Sequence, residues 1–276
     1  MSTPHPDKLS LNTATVRKQW NLRQIIEGCA RHEIRGISPW RDQVTELGLK
    51  ETARLIRQHQ LAVTGYCRGG MFPAATAEQR QLNLQDNYRA VDEALELNAQ
   101  CLVLVVGGLP DGSRDLPGAR QQVRDSLAAL LEYARPRGMP LAIEPLHPMY
   151  AADRACINTL KQANDLCDEL GDDQLGIAVD VYHTWWDAEF QHEIIRAGEK
   201  RLLAFHICDW LSPTTDLLED RGMMGDGAID IRALRQIVEA QGYDGFHEVE
   251  IFSRYWWQQD PDDVLRTCKE RHQAVG

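Results

Sequence analysis

The most constraining feature of this chain is an alternation that recurs eight times: a short apolar or β-branched run, then a stretch with helical periodicity. The runs are 8–13, 33–37, 62–66, 101–106, 141–143, 176–179, 202–207 and 246–251. Cys101-Leu-Val-Leu-Val-Val106 is apolar throughout, as a strand buried on both faces must be. Between the runs, apolar residues fall on one helical face, for example Ile231, Leu234, Ile237 and Val238, or Val123, Leu127, Leu130 and Leu131. Ile157, Leu160, Leu166 and Leu170 continue the pattern. Gly138, Gly171 and Gly242 stand where helices should close before the next strand. Eight β-then-α units predict an α/β fold, a single (β/α)8 TIM barrel over 1–276 with a flexible N-terminus at 1–8. An open doubly wound sheet would also use parallel strands, but the dinucleotide fingerprint GxGxxG is absent after the first run.

Catalytic groups of such a barrel sit at the C-terminal strand ends and the loops that follow. Here the run 141–143 ends in Glu144, and Pro145 and Pro148 then interrupt regular structure around His147. A carboxylate at the end of a buried strand is costly unless it is paired. Three later runs end in the same way, at Asp180, His206 and Glu250. Each residue alone could be an ordinary cap or ion-pair partner. Four at successive strand ends would converge on one point. Three carboxylates and one imidazole suit one divalent metal ion, Mn²⁺ foremost, with Mg²⁺, Co²⁺ or Zn²⁺ as alternatives. Glu248 competes with Glu250, because two-residue periodicity puts both on one face.

Charge narrows the partners. The net charge is −11 and no Lys/Arg run exceeds two residues, which argues against nucleic acid and against an anionic membrane. Seven cysteines without a CxxC fit free thiols in a reducing compartment. The start of the chain lacks a hydrophobic signal-type segment, so a soluble cytoplasmic protein is expected. A small-molecule ligand is the expected partner, and self-association is left open.

Five motifs in series carry a resemblance: Ile143-Glu-Pro145, Asp180-Val-Tyr-His183, Phe205-His-Ile207, Gly225-Asp-Gly227 and Gly245-Phe-His-Glu-Val-Glu-Ile-Phe252. Together they resemble the sugar isomerase/epimerase superfamily. These are the xylose-isomerase-like barrels that include ketose 3-epimerases, inosose isomerases, relatives of C-glycoside deglycosidase catalytic subunits and endonuclease IV. The resemblance implies a Glu, Asp, His, Glu metal set at Glu144, Asp180, His206 and Glu250. The family's last strand reads Val-Glu-aliphatic-Phe, which selects Glu250 over Glu248.

On this resemblance Glu144 and Glu250 would act as the acid/base pair of a metal-dependent sugar or cyclitol isomerase/epimerase. His183 would bind substrate hydroxyls or stand as a loop histidine. Arg221 lies further past His206 than the family's substrate arginine, so it could equally be a solvated loop charge. Arg68 is a candidate for a hydroxyl or a carboxylate. Trp185 and Trp186, with Trp40, could stack on a sugar face or simply pack; Tyr255-Trp-Trp257 could wall the pocket. His147 is either a further acid/base or a structural loop residue. As a base it would fit the alternative reading, a lyase on 3-keto-glycosides, which often works with a small partner subunit. Endonuclease chemistry would require a basic surface and more histidines. A non-catalytic sugar-binding barrel is the remaining class. No phosphate cradle is evident, which favours a non-phosphorylated substrate.

Overall fold

A computed structural model of the chain describes residues 3–275. In chain order the first half places strands β1 (Leu9–Asn12), β2 (Gly36–Ser38), β3 (Ala62–Val63), β4 (Tyr66–Gly70) and β5 (Leu102–Val105). The second half adds β6 (Leu141–Ile143), β7 (Leu175–Asp180), β8 (Leu202–Ile207), β9 (Asp209–Trp210), β10 (Arg221–Gly222) and β11 (His247–Val249). The helices are α1 (Leu22–Arg31), α2 (Arg41–Leu47), α3 (Leu49–Gln58), α4 (Ala77–Glu96), α5 (Leu116–Ala134), α6 (Leu160–Leu170), α7 (Val181–Thr184), α8 (Phe190–Arg201), α9 (Ile231–Glu239) and α10 (Pro261–Val275).

Nine strands form one sheet in the order β3-β2-β1-β11-β8-β7-β6-β5-β4. Its two edges, β3 and β4, are consecutive pieces of one strand separated only by Thr64 and Gly65, so the sheet closes on itself as a TIM barrel. An isolated parallel bridge from Trp40 to Cys67 ties the second strand's end across the join. The third strand therefore runs beyond its expected end at Tyr66. Cys67 to Gly70, expected as loop, pair with β5 through a register shift between Cys67 and Gly69. Gly70 makes this possible: its φ is +102°, and a Cβ there would lie 2.0 Å from the Val105 carbonyl oxygen.

Sequence-local signals explain the helices. Thr76, Thr159 and Asp230 cap α4, α6 and α9 by accepting the backbone N–H of Gln79, Gln162 and Ala233. Gly171 closes α6 in the left-handed conformation. The helices' apolar stripes pack onto the outer face of the barrel, where Leu11, Ile37, Leu104, Ile143 and Ile177 are fully buried. The interior is lined by smaller groups, Cys67, Cys101, Val103, Ala142, Ala178 and Ala204. Below the mouth sits a polar layer in which Ser10 Oγ lies 2.7 Å from Thr64 Oγ1, and Thr64 Oγ1 donates to Glu248 Oε2 at 2.9 Å. Small apolar walls leave room for acids at the top. Of the segment 1–8, expected to be flexible, residues 1 and 2 lie outside the described residues, and Pro6–Lys8 form a 3-10 turn. Among the described residues no helix is long and apolar enough to cross a membrane.

Candidate metal centre and cleft

Parallel register sets the acids side by side. Asp180 pairs with His206, and His206 with Glu248, at the ends of β7, β8 and β11. Glu144 follows β6 directly, and Glu250 lies two residues beyond Glu248 on the same inward face. Ligand atoms of Glu144, Asp180, His206 and Glu250 all lie within 4.8 Å of one another, and all four residues are buried. Glu248 lies outside this group. It is held by Asn12 Nδ2 at 2.8 Å and by Thr64.

The electrostatics are those of a crowded anionic centre. Burial pushes the Glu250 carboxyl up to about 8, with Glu144 and Asp180 adding to it against the opposing pull of Arg221. His206 places Nδ1 3.0 Å from Glu144 Oε1. Burial opposes its charging, but the surrounding Glu248, Glu144 and Glu250 win and hold it well above the usual imidazole range. Its Nε2 is within ion-pair range of Glu248 Oε1 at 3.5 Å yet has no partner in hydrogen-bonding geometry. Asp180 is also pulled two ways: burial raises it, while Arg221, His183 and His206 outweigh that and hold it low. Shared protons and one guanidinium thus balance three carboxylates. A divalent cation would do the same more completely, and the donor set fits one.

Arg221 is drawn into this centre. It is 4% exposed, and its Nη1 donates to Asp180 Oδ2 and Glu250 Oε2, both at 3.0 Å. Its guanidinium lies over the Tyr182 ring, 4.4 Å from the centroid. The two-residue ribbon of β9 and β10 carries it there, so its long chain distance from His206 is folded back. Asp209 fixes that ribbon: its carboxylate accepts N–H bonds from Trp210, Gly225, Gly227 and Ile229. The Gly225-Asp-Gly227 motif is thereby a structural clamp.

His183 stands on α7, buried, with Nε2 3.1 Å from Arg221 Nη2. A guanidinium only donates, so Nε2 accepts and the ring is neutral. Burial agrees, pushing its pKa down to about 3. The remaining Nδ1–H is buried and has no partner among the described residues. It is a donor awaiting an oxygen.

A cleft opens above the centre, lined by Trp40, Cys67, Arg68, Val103, Val105, Glu144, Leu146, Tyr150, Arg154, His183, Leu218, Arg221, Glu250 and Phe252. Glu144 and Glu250 reach it; Asp180 and His206 lie beneath. Leu218 belongs to a loop secured where Tyr150 and Tyr182 both donate to the Leu217 carbonyl.

Several candidates fall elsewhere. His147 is half-buried and outside this lining. Its Nδ1 accepts the Met149 N–H at 3.2 Å, capping a short 3-10 turn, and its ring faces Trp186 and Trp210. Trp185 packs on Trp210, and Trp186 donates to the His183 carbonyl. Tyr255 is 62% exposed, and Trp257 packs on Phe252, which is itself the wall residue. Asn12, not singled out from the sequence, bridges Glu248 and Glu250 through Nδ2 and accepts the Trp40 indole N–H. Its only signal was a polar residue closing the first strand. Arg154 and Tyr150 lie in the long loop after Glu144 and gave no signal of pattern.

A TIM barrel with a buried acid–histidine centre at its C-terminal mouth defines a broad class of proteins. Residues 26–270 match the xylose isomerase-like TIM barrel family, and the chain belongs to it. It is 24% identical to an inosose isomerase of Bacillus velezensis over 97% of this chain and 96% of that one. It is 26% identical to a fructoselysine 3-epimerase of Shigella flexneri, covering 83% and 81% respectively. Among solved structures, a Sinorhizobium meliloti 1021 protein is 53% identical with a TM-score of 0.96, over 98% of this chain and 99% of that one. The fold is also that of the IolI protein solved with a bound zinc atom, at 20% identity, TM-score 0.84 and 97% coverage of both chains.

Proposed function

We propose that this chain is a divalent-metal-dependent isomerase or epimerase of a sugar-like or cyclitol substrate, working by proton transfer beside a carbonyl. The observation that carries this reading is that Glu144 and Glu250 both face the cleft while sharing one buried centre with Asp180 and His206. The relatives named as an isomerase and an epimerase support the same chemistry.

Glu144, Asp180, His206 and Glu250 would hold the ion. When bound, it supplies Lewis acidity that favours loss of a proton from the carbon next to a carbonyl. The protein does the rest. Glu250 has its oxygens held by Asn12 and Arg221, and Glu144 has one oxygen on His206, so both carboxyls are fixed in direction. One removes the proton and the other returns it. The His183 Nδ1–H fixes a substrate hydroxyl, and Trp40 and Phe252 supply apolar walls that exclude water. The lyase reading relied on His147 as base, and nothing in the position of that ring favours it.

The test is solvent exchange. With Mn²⁺ present in D₂O, the chain is incubated with an inosose, with free ketohexoses and with keto-aldonates, and deuterium wash-in beside the carbonyl is followed by NMR. Exchange with at least one class is expected. Its absence from every keto-sugar, with metal bound, would refute the assignment.

A further inference from the structure

The cleft contains two arginines that the acid centre does not use. Arg68 sits where β4 shifts register against β5, and such bulges re-aim a side chain. Arg154 lies in the loop after Glu144. Both line the cleft beside Glu144 and Glu250, and both are half-buried. Among the described residues, neither guanidinium makes a hydrogen bond or ion pair with a protein group; Arg154 rests only over the Tyr150 ring, 5.4 Å from its centroid.

The exposed Arg57 and Arg114 are also unpaired, but among the arginines withdrawn from solvent this is unusual. Arg41 engages Asp86 and Glu93, and Arg196 engages Asp165, Asp168 and Glu193. Acidic residues outnumber basic ones, 41 to 30, so partners are plentiful. Two partly desolvated cations side by side are costly without an anion between them. Their mutual influence is direct: burial lowers the Arg68 pKa and the charge of Arg154 pushes it the same way, outweighing the opposite pull of Cys67 and of the Glu144 carboxylate.

The nearby backbone indicates which anion. A phosphate site usually offers a row of free amides. Here Gly70 N–H is taken by Asn87 Oδ1, Met71 N–H by the Val105 carbonyl and Gly107 N–H by the Arg154 carbonyl. Guanidinium forks without amides match a planar carboxylate.

We propose that Arg68 and Arg154 form an anion subsite, and that the substrate is a carboxylate-bearing keto-polyol rather than a neutral sugar. This deepens the proton-transfer reading and rests on it: the carboxylate anchors one end of the substrate while its carbonyl lies over Glu144 and Glu250.

The experiment is isothermal titration of the full chain, with Mn²⁺ present, using D-glucitol, D-gluconate and D-glucitol 6-phosphate. None of these has a ketone or aldehyde, so none turns over. Gluconate is expected to bind about tenfold or more tighter than the other two. Arg68→Gln and Arg154→Gln should each bring it to within about twofold of glucitol, with the Lys variants intermediate. Circular dichroism checks folding, and the Lys variants carry the test if a Gln variant misfolds. Equal binding of gluconate and glucitol overturns the proposal. So does a gluconate preference that survives both Gln substitutions, which would belong to the metal. Tighter binding of the 6-phosphate overturns the carboxylate assignment. Metal content is measured on the same samples. An arginine-dependent preference without bound metal sinks the metal-dependent reading alone, whereas bound metal with equal affinities sinks the subsite alone.

Discussion

The barrel has buried histidines beside acids at both ends, and the two ends handle them differently. At the N-terminal end, His247 Nδ1 lies 3.0 Å from His272 Nε2, His247 Nε2 faces Glu239 at 3.3 Å, and Arg235 pairs with Glu239. These groups satisfy one another. At the C-terminal mouth, three carboxylates crowd one imidazole, and among the described residues His183 Nδ1 and His206 Nε2 lack hydrogen-bond partners and Arg68 and Arg154 make no ion pair. A satisfied buried network stiffens a fold, whereas an unsatisfied one is built for something that arrives later. The contrast follows the general division of such barrels, with stability at the bottom and chemistry at the top.

The sharpest way to break the contrast is Glu250→Gln. Removing a proton-transfer group should lower turnover about 10²–10⁴-fold with little change in unfolding midpoint, measured by solvent exchange and by urea denaturation. Near-normal exchange would move Glu250 from the chemistry to the structure.

The bottom should respond in stability instead. Burial holds His247 and His272 neutral, with pKa values of about 3 and about 4 against an ordinary 6.5. The unfolded chain takes up these protons first, so the contribution is complete above pH 6.5 and fades as pH falls toward 4. Between pH 6.5 and 5 each histidine should cost ~2 kcal/mol of stability. His272→Asn should flatten that slope in urea titrations across the same window. Superimposable slopes for wild type and variant would show that the pair is not buried neutral.

The smallest effect belongs to His147→Asn. Asn keeps the capping acceptor, so turnover should change by less than about threefold and stability by a few tenths of a kcal/mol. A large loss of turnover would revive the lyase reading.

Most of the barrel was legible because strand and helix periods are local. The runs at 101–106, 141–143 and 202–207 lie almost where β5, β6 and β8 do. Glu144, Asp180, His206 and Glu250 were legible for the same reason, since a strand end fixes where its last side chain points. The third strand was misjudged because Arg-Gly-Gly after Cys67 carries no β signal, and only pairing with Val103–Val105 makes it a strand. Arg221 sits on a two-residue ribbon held by the Asp209 clamp and Arg154 in the loop after Glu144, and no sequence period encodes either course. His147 could be read from the sequence either as an acid/base or as a structural loop residue, because only the folded loop shows that its ring nitrogen caps a turn.

On the proposed reading, Glu144, Asp180, His206 and Glu250 together hold one divalent cation at the mouth. Titration of the chelator-treated chain with Mn²⁺, followed by electron paramagnetic resonance, tests it directly. One ion per chain is predicted, with affinity rising as pH increases because the protons on Glu250 and His206 must leave, and with at least about a tenfold loss of affinity in Asp180→Asn. No saturable binding, or binding unchanged in Asp180→Asn, would contradict it.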